Sequence, residues 1–336
     1  MHEAILYKIE GNRIRCNLCR HHCLIEEGKT GLCNVRQVQN RKLFSLFYGK
    51  PISIAIDPIE KKPLFHYRPG TTSLSIATPG CNFQCDFCQN WEISQYGRDG
   101  VNIIPSKEAS PESIVGMAIE NKCSSISYTY TEPTIFMEYA LDTGKLAKGH
   151  KLGNVFVTNG YMTREAIDLI SPYLNAANVD LKAFRKETYK KVMKANLDGV
   201  LDSIIYMKEK GIWLEITTLI VPEMNDDDAE IRDIAKFIAK TGIEIPWHIS
   251  RFIPQYNRNE TRPTPYETLK RAYDIGKEEG LRYVYLGNVR GDKSESTFCY
   301  NCNEIIIERN GYEVISINLD SEGRCKKCLT PFDGIL

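Results

Sequence analysis

The cysteines are the residues of this sequence whose spacing most directly implies chemistry, because thiolates are the protein ligands of iron–sulfur clusters and of much structural zinc. Twelve occur in 336 residues. Eleven fall into three groups: Cys16, Cys19, Cys23 and Cys33; Cys81, Cys85 and Cys88; Cys299, Cys302, Cys325 and Cys328. Cys123 stands alone and reads as a small buried hydrophobe. Disulfide scaffolds are short, secreted and denser in cysteine, so the clusters read as metal sites. The middle group is the most informative. Cys-x3-Cys-x2-Cys supplies three thiolates, one fewer than the four irons of a cubane cluster need. An iron without a protein ligand can bind a small molecule, and a thiolate-held cluster can pass that molecule one electron. The plainer alternative is a zinc knuckle completed by a distant ligand, but zinc sites normally pair one Cys-x2-Cys with another.

The outer groups differ in regularity. Cys299-x2-Cys302 and Cys325-x2-Cys328 are separated by two strand-like runs, Glu304 to Arg309 and Tyr312 to Ile317, joined at Asn310-Gly311. Such a hairpin brings two knuckles together in a four-thiolate site of zinc-ribbon type. Zinc is the expected ion, although an auxiliary iron–sulfur cluster or a rubredoxin-like iron accepts the same donors. Cys16-x2-Cys19-x3-Cys23-x9-Cys33 fits either zinc or an auxiliary [4Fe-4S] cluster, and His21 and His22 offer substitute ligands.

The elements that position these groups follow from patterning. Apolar, β-rich runs at Ser73 to Thr78, Ser125 to Thr129, Asn154 to Thr158, Ala176 to Leu181, Trp213 to Val221, Trp247 to Ile253 and Arg282 to Leu286 alternate with helical stretches. Pro111-Glu112 opens one helix, Thr163 caps Arg164 to Leu174, Asn225 precedes an acidic first turn, and Thr264-Pro265 opens the last. Alternating strands and helices imply βαβ units and a parallel sheet, here an α/β fold with a partial (β/α)6-type barrel. Three parts are expected: a Cys-rich N-terminal metal module over 1–50, the barrel over 51–296, and a zinc-ribbon-like module over 297–336. The three-cysteine loop follows the first barrel strand, at the strand end where such barrels carry their chemistry.

Composition narrows the class. Lys+Arg 43 and Asp+Glu 43 give zero formal charge, so there is no global charge signal for nucleic acid. The hydrophobic fraction is 42% and mean hydropathy −0.33. No apolar run approaches the roughly 18–20 residues of a membrane span, and the first residues lack a basic segment followed by an apolar one. A cytoplasmic protein without membrane association is expected.

At the three-cysteine loop the chain resembles the radical S-adenosylmethionine (SAM) superfamily, in which this loop holds a [4Fe-4S] cluster and SAM binds the fourth iron. The resemblance implies reductive cleavage of SAM to methionine and a 5′-deoxyadenosyl radical. Phe87 matches the hydrophobic position near the adenine. Tyr130-Thr131-Glu132-Pro133 stands where the superfamily usually has Gly-Gly-Glu-Pro, which contacts the SAM amino group. Thr158-Asn159-Gly160 and Asp180-Leu181-Lys182 resemble segments of glycyl-radical-enzyme activases that face SAM, but Val157 replaces the Asp those activases carry before Thr-Asn-Gly. Glu132, Asn159, Asp180 and Lys182 are therefore implied to place SAM. His248, on the sixth strand, is a further cofactor-facing candidate. Arg251 lies three residues on, so on a regular strand it faces the other way. Over roughly residues 14–334 the chain is similar to the radical SAM enzymes of the AmmeMemoRadiSam system. The matching features are Cys16-Asn-Leu-Cys-Arg-His-His-Cys23, Gly31-Leu-Cys-Asn-Val-Arg36, Asp57 to His66, Cys88-Gln-Asn-Trp91 and the C-terminal ribbon. That family is similar in turn to pyruvate formate-lyase activating enzymes.

The expectation is a radical SAM oxidoreductase that abstracts hydrogen from an unidentified protein or small-molecule substrate and draws electrons from a flavodoxin or ferredoxin. Two alternatives stand beside it: a glycyl-radical-enzyme activase, and a non-catalytic binding module in which every metal is structural.

Overall fold

In the runs Thr72 to Ala77 and Ser125 to Tyr128 small polar and large apolar residues alternate, and the sheet sorts them onto its two faces. Ser73, Ser75 and Ser127 share one face; Leu74, Ile76 and Ile126 pack into the main apolar core on the other. In this computed structural model, residues 1–102, 105, 107–289 and 293–336 are described. The sheet has eight strands: β1 (Ser53–Pro58), β2 (Thr72–Ala77), β3 (Ser125–Tyr128), β4 (Gly153–Thr158), β5 (Ala176–Asp180), β6 (Trp213–Ile220), β7 (Trp247–Arg251) and β8 (Val284–Gly287). They lie side by side in chain order. β2 to β8 are parallel and β1 is antiparallel to β2. Among the described residues no ladder joins β1 to β8, so the sheet is an open arc.

Each parallel connection carries a helix: α1 (Pro111–Glu120), α2 (Met137–Gly149), α3 (Arg164–Ile170), α4 (Leu197–Glu209), α5 (Asp228–Thr241) and α6 (Tyr266–Glu278). This is the α/β architecture the sequence implies. The seven expected strands form with ends within two residues of expectation, and β1 is additional. Thr163 caps α3 by accepting from the Ala166 amide at 3.2 Å. The helix stops at Ile170 instead of Leu174, because Pro172 has no N–H to donate back along the helix. The cap of α5 is Asp227, which accepts from the Glu230 amide at 3.0 Å. Asn225 instead closes the preceding loop, its side chain bonding the Val221 amide and the carbonyls of Lys182 and Leu219.

The N-terminal segment forms two small three-stranded sheets. It is tied to α2 by a buried ion pair, Arg36 Nη1 to Glu138 Oε1 at 2.8 Å. The C-terminal segment forms the antiparallel sheet Thr297–Phe298, Ile305–Asn310 and Glu313–Ile317. Its hairpin pairs Asn310 with Glu313, so the two-residue turn is Gly311-Tyr312, one position later than expected. Gly311 adopts φ +61°, which the first central position of such a turn requires. Arg309 anchors this sheet to the barrel by donating to the Phe65 carbonyl at 2.7 Å.

Candidate functional site

The three-cysteine loop leaves β2 through Thr78-Pro79-Gly80 and folds over the C-terminal ends of the parallel strands. Phe83 N donates to Cys81 Sγ at 3.3 Å, and Cys88 Sγ lies 3.1 Å from Ser94 Oγ. Burial pushes the Cys85 thiol up to about 12 and the Cys81 thiol well above its usual value. Thiols so placed ionise only when a cation compensates the charge. Cys81, Cys85, Cys88 and Phe87 line one cavity with about 1400 Å³ of empty space, open to solvent.

Glu132, Asn159, Asp180 and Lys182, at the ends of β3, β4 and β5, line the same cavity. Glu132 is 2% exposed. Its carboxylate accepts from Thr158 Oγ1 at 2.7 Å, Asn159 N at 2.8 Å, Thr134 N at 3.0 Å and the Thr134 hydroxyl. Burial raises its pKa, and these donors only partly offset that. Asn159 Nδ2 donates to Asn82 Oδ1 at 2.7 Å and approaches Cys81 Sγ at 3.8 Å. Lys182 Nζ meets Asp180 Oδ2 at 2.8 Å. Burial opposes the Lys182 charge, but the Asp180 carboxylate outweighs it and holds the ammonium protonated. Val157 lines the cavity as well. Tyr130, in place of a glycine, adopts φ +64° and thereby keeps the backbone turn that a glycine would allow freely.

Sequence reasoning missed a charged cluster beside the cavity, which Lys61, Lys62 and Tyr130 line. Asp57 accepts from Lys61 Nζ at 2.8 Å, Lys62 Nζ at 2.7 Å, Ser75 Oγ at 2.7 Å and the Tyr130 hydroxyl. Burial alone would raise the Asp57 carboxyl, but four donors overcome it and hold it well below the usual carboxylate range. Lys62 has one acceptor against its burial, which pulls its ammonium down to about 8. The string Asp57 to Lys62 was visible as a string; its partners on β2 and after β3 were not.

His248 lies elsewhere. It lines a second cavity of similar size, about 1420 Å³ of empty space, together with Glu60, Phe65 and Tyr285. Its Nε2 is 2.6 Å from Glu215 Oε2 and its ring stacks on Tyr285. Pro63, Thr217, Ser250, Asn288 and Tyr312 line both cavities, so the two adjoin. Arg251 donates to the Thr264 carbonyl at 2.8 Å and lines neither.

At the C-terminus Cys299 Sγ and Cys328 Sγ are 3.5 Å apart, Cys302 Sγ and Cys325 Sγ 3.7 Å, and all four fall within 4.8 Å of one another. A tetrahedral ion with metal–sulfur distances near 2.3 Å puts its sulfurs about 3.8 Å apart, so these donors fit one metal ion. Cys16, Cys19, Cys23 and Cys33 surround a separate cavity. His21 lines it and bonds the Asn82 carbonyl at 2.8 Å, whereas His22 bonds the Asn17 side chain.

With this geometry in view, comparison with known proteins identifies the class. Residues 75–238 match the Radical SAM superfamily. The chain is 46% identical, over the full length of both, to an uncharacterized protein of Methanocaldococcus jannaschii. It belongs to the radical SAM superfamily. It is also 27% identical to a putative glycyl-radical enzyme activating enzyme of the same organism, over 64% of this chain and 79% of that one. Among solved structures, a radical SAM methyltransferase from Sphaerobacter thermophilus shares the fold: TM-score 0.51, 16% identity, 66% of this chain and 67% of that one. No helix among the described residues is long and apolar enough to cross a membrane.

Proposed function

We propose that this chain is a radical SAM enzyme: Cys81, Cys85 and Cys88 hold a [4Fe-4S] cluster, SAM binds beside it, and hydrogen is taken from a substrate in the adjoining cavity. The observation that carries this reading is the donor set. Three thiols face one cavity, no His or further Cys lines it among the described residues, and the three do not lie close enough together to share one ion as the C-terminal four do. When bound, the cluster supplies the electron that cleaves SAM to methionine and a 5′-deoxyadenosyl radical. The chain's own residues position and protect. Asp180 and Lys182 present an acceptor and a donor side by side for a ligand carrying both charges. Glu132 fixes the Asn159 amide, which keeps the Asn159 side chain against Cys81 and Asn82. Phe87 gives an apolar wall that offers the radical no polar hydrogen donor.

A flavodoxin or ferredoxin serves as electron donor, and the C-terminal four thiolates hold zinc. The test is anaerobic reconstitution with dithionite and SAM: we expect 5′-deoxyadenosine from the wild type and none from Cys85→Ala. A fully reconstituted wild type that forms none would overturn the reading.

A narrower form, activation of a glycyl-radical enzyme, is favoured by the 27% identical relative. The apolar Val157 counts against it, because those activases carry an Asp there. It predicts a protein-bound radical signal on a partner incubated with the reconstituted enzyme, and its absence with deoxyadenosine still forming would exclude this form alone.

A further inference from the structure

We propose that Cys16, Cys19, Cys23 and Cys33 hold a second [4Fe-4S] cluster in the cavity between the N-terminal module and the three-cysteine loop. This site is separate from the one assigned above and does not depend on that assignment.

A single tetrahedral ion draws its four sulfurs to about 3.8 Å. A cubane sets each thiolate on a different iron, so its ligands stand further apart and ring a cavity. The same measure separates the cysteine groups of this chain. Among the described residues, the C-terminal four are the only group of three or more His, Cys, Asp or Glu side chains gathered to share one metal ion, their ligand atoms lying within 4.8 Å of one another. The N-terminal four do not meet. Instead all of them line one common cavity. Its walls are otherwise largely apolar, with Leu18, Ile25, Leu32 and Ile135 among them. No disulfide joins these thiols.

A second, independent observation points to an anionic occupant. Arg36 lines the cavity and is 2% exposed. Its Nη atoms are bonded to Glu138 and the Ile5 carbonyl, but its Nε finds no acceptor among the described residues. A buried donor left unpaired is costly, and the sulfur atoms of a cluster would accept from it. Asn82, in the three-cysteine loop, closes the cavity on the side of the other site.

The test uses the full chain, purified anaerobically and reconstituted with iron and sulfide. The wild type should carry about eight irons and eight acid-labile sulfides. The variant Cys81→Ala/Cys85→Ala/Cys88→Ala should keep about four of each and show the electron paramagnetic resonance of one reduced cluster. Replacement of Cys16, Cys19, Cys23 and Cys33 by Ser should also halve the count while deoxyadenosine still forms. If that variant does not fold, the triple variant alone decides. A triple variant that binds extra zinc and no sulfide overturns the proposal and leaves the assigned function standing. Conversely, a wild type with about four irons, all retained in the triple variant, supports the proposal and defeats the assigned function.

Discussion

Glu132 is almost fully enclosed, and its carboxylate takes four hydrogen bonds from Thr134, Thr158 and the Asn159 amide. In Glu132→Gln the side-chain N–H2 would face groups that also donate. A hydrogen bond to a charged group contributes roughly 1.5–3 kcal/mol. We therefore expect a loss of about 2 kcal/mol in stability by calorimetry and about tenfold weaker SAM binding by equilibrium dialysis of the anaerobic, cluster-loaded protein. Unchanged melting would show that Glu132 does not brace the strand ends. The position of Glu132 was legible because Glu132-Pro133 matches the superfamily's segment after the run Ser125 to Thr129; its bracing was not, since Thr158 and Asn159 lie at the end of another strand. The cluster around Asp57 escaped notice for the same reason. Its donors come from three separated segments, and no local spacing announces them.

The connection between β2 and the cysteine loop depends on Gly80. Its φ is +98°, and an added Cβ would lie 2.7 Å from Val35 Cγ1 and 2.9 Å from the Cys33 carbonyl oxygen. Gly80→Ala therefore meets both backbone strain and a clash with the N-terminal module. We expect a loss of about 2–4 kcal/mol, read from thermal melts, together with lower iron content after reconstitution. Full iron content with wild-type melting would show that the two segments can separate freely. At this scale the parallel strands were legible because they are buried on both faces and read as continuous β-rich runs. β1 was not: its apolar Ile54 and Ile56 are exposed, so the pattern marks the wrong face. Helix α2 lacks a side-chain cap and grows out of the short turn Pro133–Phe136, which removes the usual start signal.

Across the whole molecule, the join between barrel and C-terminal segment centres on His66, which is fully buried. Nδ1–H donates to the Asp333 carbonyl, leaving Nε2 to accept from the Tyr285 hydroxyl at 2.6 Å. Protonation would place a second N–H where an acceptor is needed. Burial accordingly pushes the His66 pKa down to about 4. Between about pH 6.5 and 4 the unfolded chain binds a proton that the folded chain does not, so stability falls as pH falls through this window, by up to about 3 kcal/mol. Denaturant melts at pH 7 and pH 5 should show the fall in the wild type and a flatter profile in His66→Gln; equal slopes would remove His66 as the cause.

The arc left open between β1 and β8 has a consequence for the guest. Glu60, Pro63 and Phe65 reach the second cavity from beyond one edge, and Tyr285 to Val289 reach it from the other. The gap is bridged by side chains instead of backbone: Phe65 packs on Tyr285, His66 bonds the Tyr285 hydroxyl, and Asn310, Gly311 and Tyr312 of the C-terminal hairpin line the same cavity. A guest in that cavity therefore meets a wall contributed by the last segment of the chain. Deuterium tracing into deoxyadenosine, run on both the macromolecular and the low-molecular-weight fractions of an extract, identifies that guest.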